Sequence, residues 1–367
     1  MTEDDIYNKG LPPLWRSGKA YSFFEFWPAW LFYIPVVFYW LWLAAKYRNL
    51  TLPLLVNPSI YLSGMVGESK GGILDQLADG AREHMLPYVC FDRGTDLDSE
   101  CDRVESWLQR QKLNYPCVLK PDLGCRGAGV NKINDGKALR SYLTEFGKGR
   151  RYIVQALAPF IAEAGVFYER APGAERGSIS SLTLKYLPYV VGDGKRSIRQ
   201  LILSDPRGAK LKSFYFECMH ARLNDILLEG ECLPLVFSGS HCRGAIFRDG
   251  NHLITDTMVD ALERCLSGMS DFHYGRFDIK FRSIESLQQG KDFYILELNG
   301  ASSEATHIWD AHGRLLDVFV TLFRQYRTLF KFGASMQQRK LNSWSVSDVI
   351  VHWWRGLKSS KTNPKSF

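Results

Sequence analysis

A run of twenty residues, from 26 to 45, carries no charged side chain. Its length is sufficient for a helix that spans a bilayer. However, four tryptophans and two tyrosines are spread along the run, and Pro28 and Pro35 would kink a helix. Three interpretations stay open: a full span, a re-entrant or surface-lying segment, and a buried helix of a soluble core. We therefore predict an N-terminal apolar, membrane-associated segment within residues 1–50.

The stretch from 115 to 130 begins with a short apolar run that predicts a strand with Lys120 at its end. The loop that follows contains Gly124, Gly127 and Gly129. Glycines at this spacing allow backbone N–H groups to face an anion, and a neighbouring lysine adds a point charge. The loop is a candidate phosphate-binding site, and a hairpin turn is the alternative.

Two later runs predict strands that carry polar side chains. Residues 275–280 place Asp278 inside an apolar stretch, and residues 293–300 put Glu297 and Asn299 on one face of a strand. A ligand set made only of oxygen atoms suits Mg²⁺ that is bound together with nucleotide phosphates. The alternative is an edge hairpin whose polar face lies in water.

The remaining patterns predict a mixture of helices and strands. Residues 54–113 predict a compact βα unit with a helix over 72–85, and residues 115 to about 187 predict a strand-rich lobe. Helical periodicity extends over 315–332. Residues 207–230 predict a helix and residues 238–256 a hairpin, in which His241 and Arg243 are candidate substrate contacts.

Composition narrows the function classes. The chain has 367 residues, which is room for two or three lobes, and a net charge of +7 without a long basic block before the tail. Nucleic acid is therefore not an expected partner. The eight cysteines include no CxxC pair, a pattern typical of reduced, buried thiols in the cytosol.

In order along the chain, these motifs resemble those of the ATP-grasp enzymes, in the branch of D-alanine–D-alanine ligase and cyanophycin synthetase. Lys70, 50 residues before Lys120, resembles the family's first phosphate lysine. Residues 152–157 resemble the strand that leads into the adenine hinge, and residues 190–202 resemble a segment of cyanophycin synthetase. The resemblance covers about residues 57–312.

The resemblance implies an α/β (α+β) fold of the ATP-grasp type, with a shortened N-terminal βα piece. It implies that Arg276 and Lys120 are catalytic, Arg276 by stabilising an oxyanion, and that Asp278, Glu297 and Asn299 hold Mg²⁺. The residues implied in ATP binding are Lys70, Lys120, Gly124, Arg126, Gly127, Gly129, Gln155, Leu157 and Glu163, the last as the acid that binds the ribose. The regions implied are the apolar segment (1–50), a small βα pre-grasp domain (51–114), the ATP-grasp domain (115–335) and a basic aromatic tail (336–367).

Residues 302–310 depart from the peptide ligases. In those enzymes the metal-binding Asn leads into a Pro-Gly turn and a serine that hold the acceptor amino acid. This chain has neither Pro nor Gly directly after Gly300, and His307 lies near the position of the expected serine. The resemblance therefore does not extend to D-alanine specificity.

The function expected from these features is an ATP-dependent carboxylate–amine ligase that acts on small-molecule or lipid-linked substrates. The alternatives are a kinase on the same scaffold and a membrane-anchored nucleotide-binding module without chemistry. The use of ATP and the apolar segment place the protein at the cytoplasmic face of the inner membrane. In the tail, Trp353 and Trp354 with the cations Arg355, Lys358, Lys361 and Lys365 suit an anionic membrane surface, and a frayed solvated tail is the alternative.

Overall fold

The computed structural model describes residues 8–14, 19–124, 127–339, 344–360 and 363–364. Three residues named above, Arg126, Lys361 and Lys365, lie outside these ranges, and the side chain of Lys358 is also outside the description. The strands are β1 (Tyr88–Asp92), β2 (Cys117–Pro121), β3 (Asn131–Ile133), β4 (Arg151–Ala156), β5 (Glu163–Glu169), β6 (Ser178–Tyr186), β7 (Tyr189–Val191), β8 (Cys232–Pro234), β9 (Ile246–Asp249), β10 (Tyr274–Phe281) and β11 (Phe293–Asn299). The helices are α1 (Ala29–Phe32), α2 (Ile34–Tyr47), α3 (Lys70–Leu77), α4 (Leu97–Arg110), α5 (Gly136–Glu145), α6 (Ile198–Ser204), α7 (Pro206–Lys210), α8 (Lys212–Cys218), α9 (Asp256–Cys265), α10 (Ile284–Gln288), α11 (Leu315–Gln337) and α12 (Val346–Ser360).

A four-stranded antiparallel sheet has the order β1-β4-β2-β3. Helices α4 and α5 pack on it through a shared apolar core. Each helix begins at an aspartate whose side chain accepts a hydrogen bond from the first turn, Asp96 from Ser99 N and Asp135 from Ala138 N. The predicted boundary between residues 114 and 115 falls between α4 and β2, which belong to this one core.

The central sheet has five antiparallel strands in the order β11-β10-β5-β6-β9. One face packs against α3 and α9 and forms the main apolar core. On the opposite face, Phe167 and Tyr274 contact α11. The remainder of that opposite face is polar, and it carries Glu163, Lys185 and Asp278. The candidate site lies on this polar part.

A smaller lobe lies between β6 and β9 in sequence. It contains the two-stranded sheet β7-β8 and helices α6 to α8, which pack around Ile198, Leu201 and Tyr215. Helix α6 begins with a capping box formed by Ser197 and Gln200. The predicted helix over 207–230 is shorter in the structure, because α8 ends at Cys218 and turns follow it.

The uncharged run 26–45 forms two helices, α1 and α2, with Tyr33 between them. Helix α2 buries Val36 and Leu43 against α11, and its opposite side is exposed. Among the described residues, no helix combines the length and the apolar character that crossing a membrane requires. The segment is thus neither one continuous helix nor a fully buried one.

Three local predictions are wrong. The helix predicted over 72–85 begins at Lys70 and ends at Leu77. Residues 54–60, predicted as part of a βα unit, contain no strand, and the first two of them belong to a 3₁₀ turn at Leu52–Leu55 that packs against α11. Pro53 lacks a backbone donor for a strand ladder, and tertiary packing decides the conformation. Residues 238–256 contain β9 and two 3₁₀ turns instead of a hairpin, because β9 pairs with the distant β6.

The thiols of Cys101, Cys117 and Cys265 are free and buried. Burial raises the pKa of Cys117 and of Cys265 to about 12, so these side chains pack as apolar groups.

Candidate active site

The pairing of β10 with β11 brings the predicted metal ligands together. Asp278 lies opposite Glu297, and Arg276 lies opposite Asn299. Residues two apart on one strand share a face, so all four side chains occupy the same side of the sheet. Gly165 on β5 lies opposite Asp278, where a Cβ would be 3.1 Å from Cδ of Arg276. Glycine at this position leaves room for the Arg276 side chain.

Asp278 is the centre of a buried ionic cluster. Its Oδ1 accepts hydrogen bonds from Lys185 Nζ (2.8 Å) and Arg276 Nε (3.0 Å), and its Oδ2 accepts one from Asn299 Nδ2 (3.2 Å). Burial opposes ionisation of this carboxyl, but the charges of Arg276 and Lys185 outweigh burial and hold its pKa well below the ordinary value. Arg276 Nη1 also donates to the carbonyl oxygen of Glu304 (2.9 Å), so its guanidinium group is fixed from two sides.

Lys70 links Glu297 to the glycine loop. Its Nζ lies 3.1 Å from Glu297 Oε1 and donates to the carbonyl oxygen of Gly124 (2.8 Å). Lys70 is the first residue of α3, which Ser69 caps by accepting a hydrogen bond from Gly72 N. Ser69 Oγ in turn donates to the buried carboxylate of Asp122, at 2.8 and 2.9 Å, which ties the start of α3 to the end of β2.

Lys120 is buried at the end of β2. Its Nζ donates to two neutral oxygens, Gln155 Oε1 (2.9 Å) and the carbonyl of Leu296 (3.0 Å). Burial lowers the pKa of Lys120 to about 8; the charge of Glu297 opposes this shift, and that of Lys70 adds to it. Across the described ranges, no carboxylate oxygen lies within hydrogen-bond distance of Lys120 Nζ.

Glu163 faces two lysines. Its carboxylate lies 3.1 Å from Lys185 Nζ and 3.8 Å from Lys280 Nζ. Gly239 packs directly on it, since a Cβ there would be 2.9 Å from Glu163 Oε1. Leu157, predicted at the adenine hinge, is half-buried and follows β4 by one residue. The predicted roles of Glu163 and Leu157 stay predictions.

The described part of the glycine loop has two glycines in the left-handed region, Gly127 (φ +72°) and Gly129 (φ +75°). A Cβ at Gly127 would lie 3.1 Å from both Arg243 Nε and Ser238 Oγ, so Arg243 borders this loop. His241 does not, because it stacks on Trp309 and lies 3.3 Å from the buried carboxylate of Glu25.

The structure adds Lys185 and Asp122 to the residues predicted from sequence. Lys185 bridges Glu163 and Asp278, and Asp122 holds α3 at the glycine loop. Lys185 is a charged residue inside the apolar, alternating run of β6, and this pattern could have identified it from the sequence. Asp122 follows Lys120 and Pro121 directly, yet nothing local distinguishes it from an ordinary loop aspartate.

The donor set fits a nucleotide with Mg²⁺. Asp278 and Glu297 offer carboxylate oxygens and Asn299 an amide oxygen, all on one side of the sheet. In the described residues, the buried atoms Gln155 Nε2 and Thr306 Oγ1 have no hydrogen-bond partner, and a polar guest would satisfy them. Among the described residues, no group of three or more His, Cys, Asp or Glu side chains is placed to hold a metal ion.

A separate cleft of about 550 Å³ lies outside this site, between residues 19–23 and 311–316. Lys19, His312 and Arg314 line it together with the apolar side chains of Phe23 and Leu316. None of the predicted site residues contributes to this cleft.

No family model matches the chain, and no curated protein matches it. Solved structures with similar chains include a D-alanine–D-alanine ligase from Bacillus anthracis, at 11% identity, 77% coverage of this chain, 72% of that chain and a TM-score of 0.42. They also include the D-cycloserine synthetase DcsG, at 12% identity and a TM-score of 0.38. That match covers 72% of this chain and 69% of the other. The bifunctional glutathione synthetase from Pasteurella multocida has 14% identity and a TM-score of 0.35, and the match covers 70% of this chain but only 36% of that one.

These similar structures thus include a D-alanine–D-alanine ligase, one of the enzymes whose motifs the sequence resembles. All three TM-scores lie below 0.5.

Proposed function

We propose that this protein is an ATP-dependent carboxylate–amine ligase, which forms an amide through an acyl phosphate. The observation that carries the proposal is Lys120, a buried cation beside the glycine loop whose described hydrogen-bond partners are neutral oxygens. A buried charge without a counter-ion is costly. The phosphate groups of a nucleotide would bring negative charge into direct contact with Lys120, closer than that of Glu297, and Lys70 is a second cation close by.

In this proposal Asp278, Glu297 and Asn299 hold Mg²⁺. When bound there, the ion supplies neutralisation of the charge on the transferring phosphoryl group. The low pKa of Asp278 keeps its carboxylate ionised at neutral pH, as such a ligand requires. Binding would also redistribute the ion pairs, since Lys70 and Lys185 contact Glu297 and Asp278 in this structure and could contact phosphate oxygens instead.

The side chains of the site have distinct roles in the proposed reaction. Lys70 and Lys120 orient the phosphates while the substrate carboxylate attacks the γ-phosphoryl group, and the bond to the bridging oxygen breaks to release ADP. An amine then attacks the carbonyl carbon of the acyl phosphate, and Arg276 stabilises the oxyanion of the tetrahedral adduct. The adduct collapses to the amide as inorganic phosphate leaves and the nitrogen loses a proton. Its guanidinium group is held by Asp278 and the Glu304 carbonyl, so it is oriented before the reaction begins. No side-chain nucleophile is required.

The proposed substrates are a small-molecule or lipid-linked carboxylate and an amine. The turn at Thr306–Trp309 follows Arg276's partner Glu304 and places His307 Nδ1 2.6 Å from Ser181 Oγ. Burial lowers the pKa of His307, so this side chain is neutral at physiological pH. A neutral imidazole suits an uncharged amine better than a second carboxylate, which favours this end of the site for the amine.

Hydroxylamine trapping tests the proposal. The chain is incubated with ATP, Mg²⁺ and pools of carboxylates, and hydroxylamine converts any acyl phosphate into a hydroxamate that mass spectrometry detects. We expect a hydroxamate, and phosphate release that increases when an amine replaces hydroxylamine. A phosphorylated alcohol without phosphate release would identify a kinase instead.

Two variants make this experiment specific. Glu297→Gln should abolish hydroxamate formation, because it removes one anionic ligand with almost no change of shape. Asp225→Asn is the matched control, because Asp225 forms an exposed ion pair with Arg222 at 3.1 Å and lies in the smaller lobe. Equal loss in both variants would point to a general effect of charge removal, and it would contradict the assignment of Glu297.

A further inference from the structure

Helices α1 and α2 and the residues just before them carry an exposed apolar face. We define it by the side chains of Phe23, Trp27, Trp30, Phe38, Leu41 and Trp42. Trp30 is 72% exposed and Phe38 is 68% exposed. On α2, residues 38, 41 and 42 follow helical spacing, and every exposed side chain from Ile34 to Ala45 is apolar.

Cationic side chains lie at both ends of this face. At one end, Lys46 Nζ is 5.1 Å from the ring centroid of Trp42. At the other end, Phe23 lines the separate cleft, whose lining among the described residues includes Lys19, His312 and Arg314 and no carboxylate. Leu316 borders the same cleft and is itself 70% exposed, which extends the apolar surface onto α11. Asp317, next to Leu316, is exposed and offsets part of this charge.

An exposed apolar surface of this kind is expected to be covered by a partner. The cations at its ends distinguish two possible partners, a second copy of the chain and a lipid surface. A second copy of the chain, related by a twofold axis, would bring the same face against itself and place cations opposite cations. An anionic lipid surface would complement them. Tryptophan rings also favour the headgroup zone, because their apolar bodies carry a polar N–H group.

We propose that the apolar face docks on an anionic lipid bilayer, with its rings in the headgroup zone and the cleft facing a lipid headgroup. The two helices lie on the surface, in the manner of an interfacial segment, because their other side stays packed on α11. This inference stands apart from the proposed ligase activity, since it uses none of the residues assigned to that reaction.

Vesicle sedimentation tests the docking without ATP. The full chain is mixed with sucrose-loaded vesicles of phosphatidylcholine, with and without phosphatidylglycerol, at low and high salt. We expect binding to both vesicles, stronger to the anionic ones, and we expect high salt to remove only the difference between them, because salt screens charge and not apolar burial.

Three variants assign the contributions. Trp30→Ser with Phe38→Ser should weaken binding to both vesicles, by about tenfold for each ring removed. Lys19→Gln with Arg314→Gln should reduce the preference for anionic vesicles, to which Lys46 still contributes, and leave binding to neutral vesicles unchanged. Leu228→Ser is the matched control, because Leu228 is 75% exposed but lies in the smaller lobe. It should bind as the natural chain does.

Several results would overturn the proposal. The full chain could stay in the supernatant with anionic vesicles, or the ring variant could bind as well as the natural chain. A natural chain that elutes as a dimer, with a monomeric ring variant, would show that a second copy covers the face. Circular dichroism and thermal unfolding verify that each variant is folded. Vesicle binding without hydroxamate formation would reject only the ligase activity.

Discussion

The buried charges of the site have different kinds of partner. Asp278 is held ionised by Arg276, two residues earlier on the same strand, and by Lys185 from β6. Among the described residues, Lys120 instead donates to neutral oxygens, those of the Gln155 side chain and the Leu296 carbonyl. The two residues therefore respond differently to pH and to substitution. Asp278 already has its counter-ions, and Lys120 has an environment that disfavours its charge.

Because the pKa of Lys120 is lowered, we expect ATP affinity and the free energy of unfolding to change in opposite directions as the pH rises. This pKa is lowered from 10.5 to about 8 in the folded chain. Above about pH 8 the folded protein loses this cation, so the affinity for ATP should fall. Between the two pKa values only the unfolded chain keeps the proton, so the free energy of unfolding should rise with pH, by on the order of 3 kcal/mol over the whole window.

Calorimetric titration with ATP and urea unfolding, both from pH 7 to pH 10, measure the two effects. The matched variant is Lys120→Met, which should bind ATP weakly at every pH and lack this contribution to the stability slope. Identical slopes in the two proteins would mean that Lys120 is not the titrating group.

Asp278→Asn and Glu297→Gln should both abolish turnover, but they should differ in stability. Asp278 neutralises Arg276 and Lys185, so its loss leaves Arg276 without its ionic partner and Lys185 with Glu163 alone, and it should cost about 3–5 kcal/mol. Glu297 contacts Lys70 alone among the described ion pairs and its side chain is 26% exposed, so its loss should cost about 1–2 kcal/mol. Urea unfolding measures the difference, and equal costs would contradict the described ion pairs.

At the scale of elements, α3 and the glycine loop act as one unit. Asp122, at the end of β2, accepts hydrogen bonds from Ser69 Oγ and from Gly71 N at the start of α3. These bonds fix the helix end that carries Lys70. The distance between Lys70 and the loop is therefore set by hydrogen bonds within the site rather than by the length of the connecting chain.

The packing of α11 on the N-terminal region leaves no space at Gly333. A Cβ there would lie 2.1 Å from the carbonyl oxygen of Leu52, a contact with backbone that cannot move aside easily. Alanine normally favours a helix over glycine by about 1 kcal/mol. We expect the clash to outweigh this gain, so Gly333→Ala should lower the free energy of unfolding by about 1–3 kcal/mol.

Gly356→Ala is the control for that measurement. Gly356 lies in α12, and no atom of the described residues lies within 4 Å of the position of its Cβ. This substitution should leave the free energy of unfolding unchanged or raise it by a few tenths of a kcal/mol. If thermal unfolding showed the same effect at both positions, helix propensity and not the contact with Leu52 would be decisive.

At the scale of the whole molecule, the N-terminal segment is part of the core on one side. Phe24, Phe32, Val36 and Leu43 are almost fully buried. Burial of each stabilises the fold by about 1.5–3 kcal/mol, and their sum is comparable to the whole net stability of a typical protein, about 5–15 kcal/mol. A chain that begins at Thr51 should therefore aggregate or unfold at a much lower temperature.

Differential scanning fluorimetry and light scattering measure this outcome. The variant Trp30→Ser with Phe38→Ser is the comparison, because it alters only exposed side chains and should keep the melting temperature of the natural chain. A shortened chain that melts at the same temperature as the natural one would mean that the contact with α11 adds nothing to stability.

Much of the site could be predicted from sequence because its signals are local. Strands β2, β10 and β11 follow from short apolar runs, and the spacing of Glu297 and Asn299 places them on one face of a strand. Two conformational predictions failed where distant partners decide, at residues 54–60, which pack on α11, and at β9, which pairs with β6.

The sequence by itself determined which strands carry the polar residues and that a lysine precedes a glycine-rich loop. Tertiary pairing alone places β5 beside β10 and β6 beside β5, which brings Glu163 and Lys185 to Asp278. Tertiary packing also decided which side of α2 is covered. Both sides are apolar, so periodicity could not distinguish them, and the difference arises because α11 offers a complementary surface to one side alone. Burial and partner choice depend on neighbours that are distant in sequence, and a local pattern does not specify them.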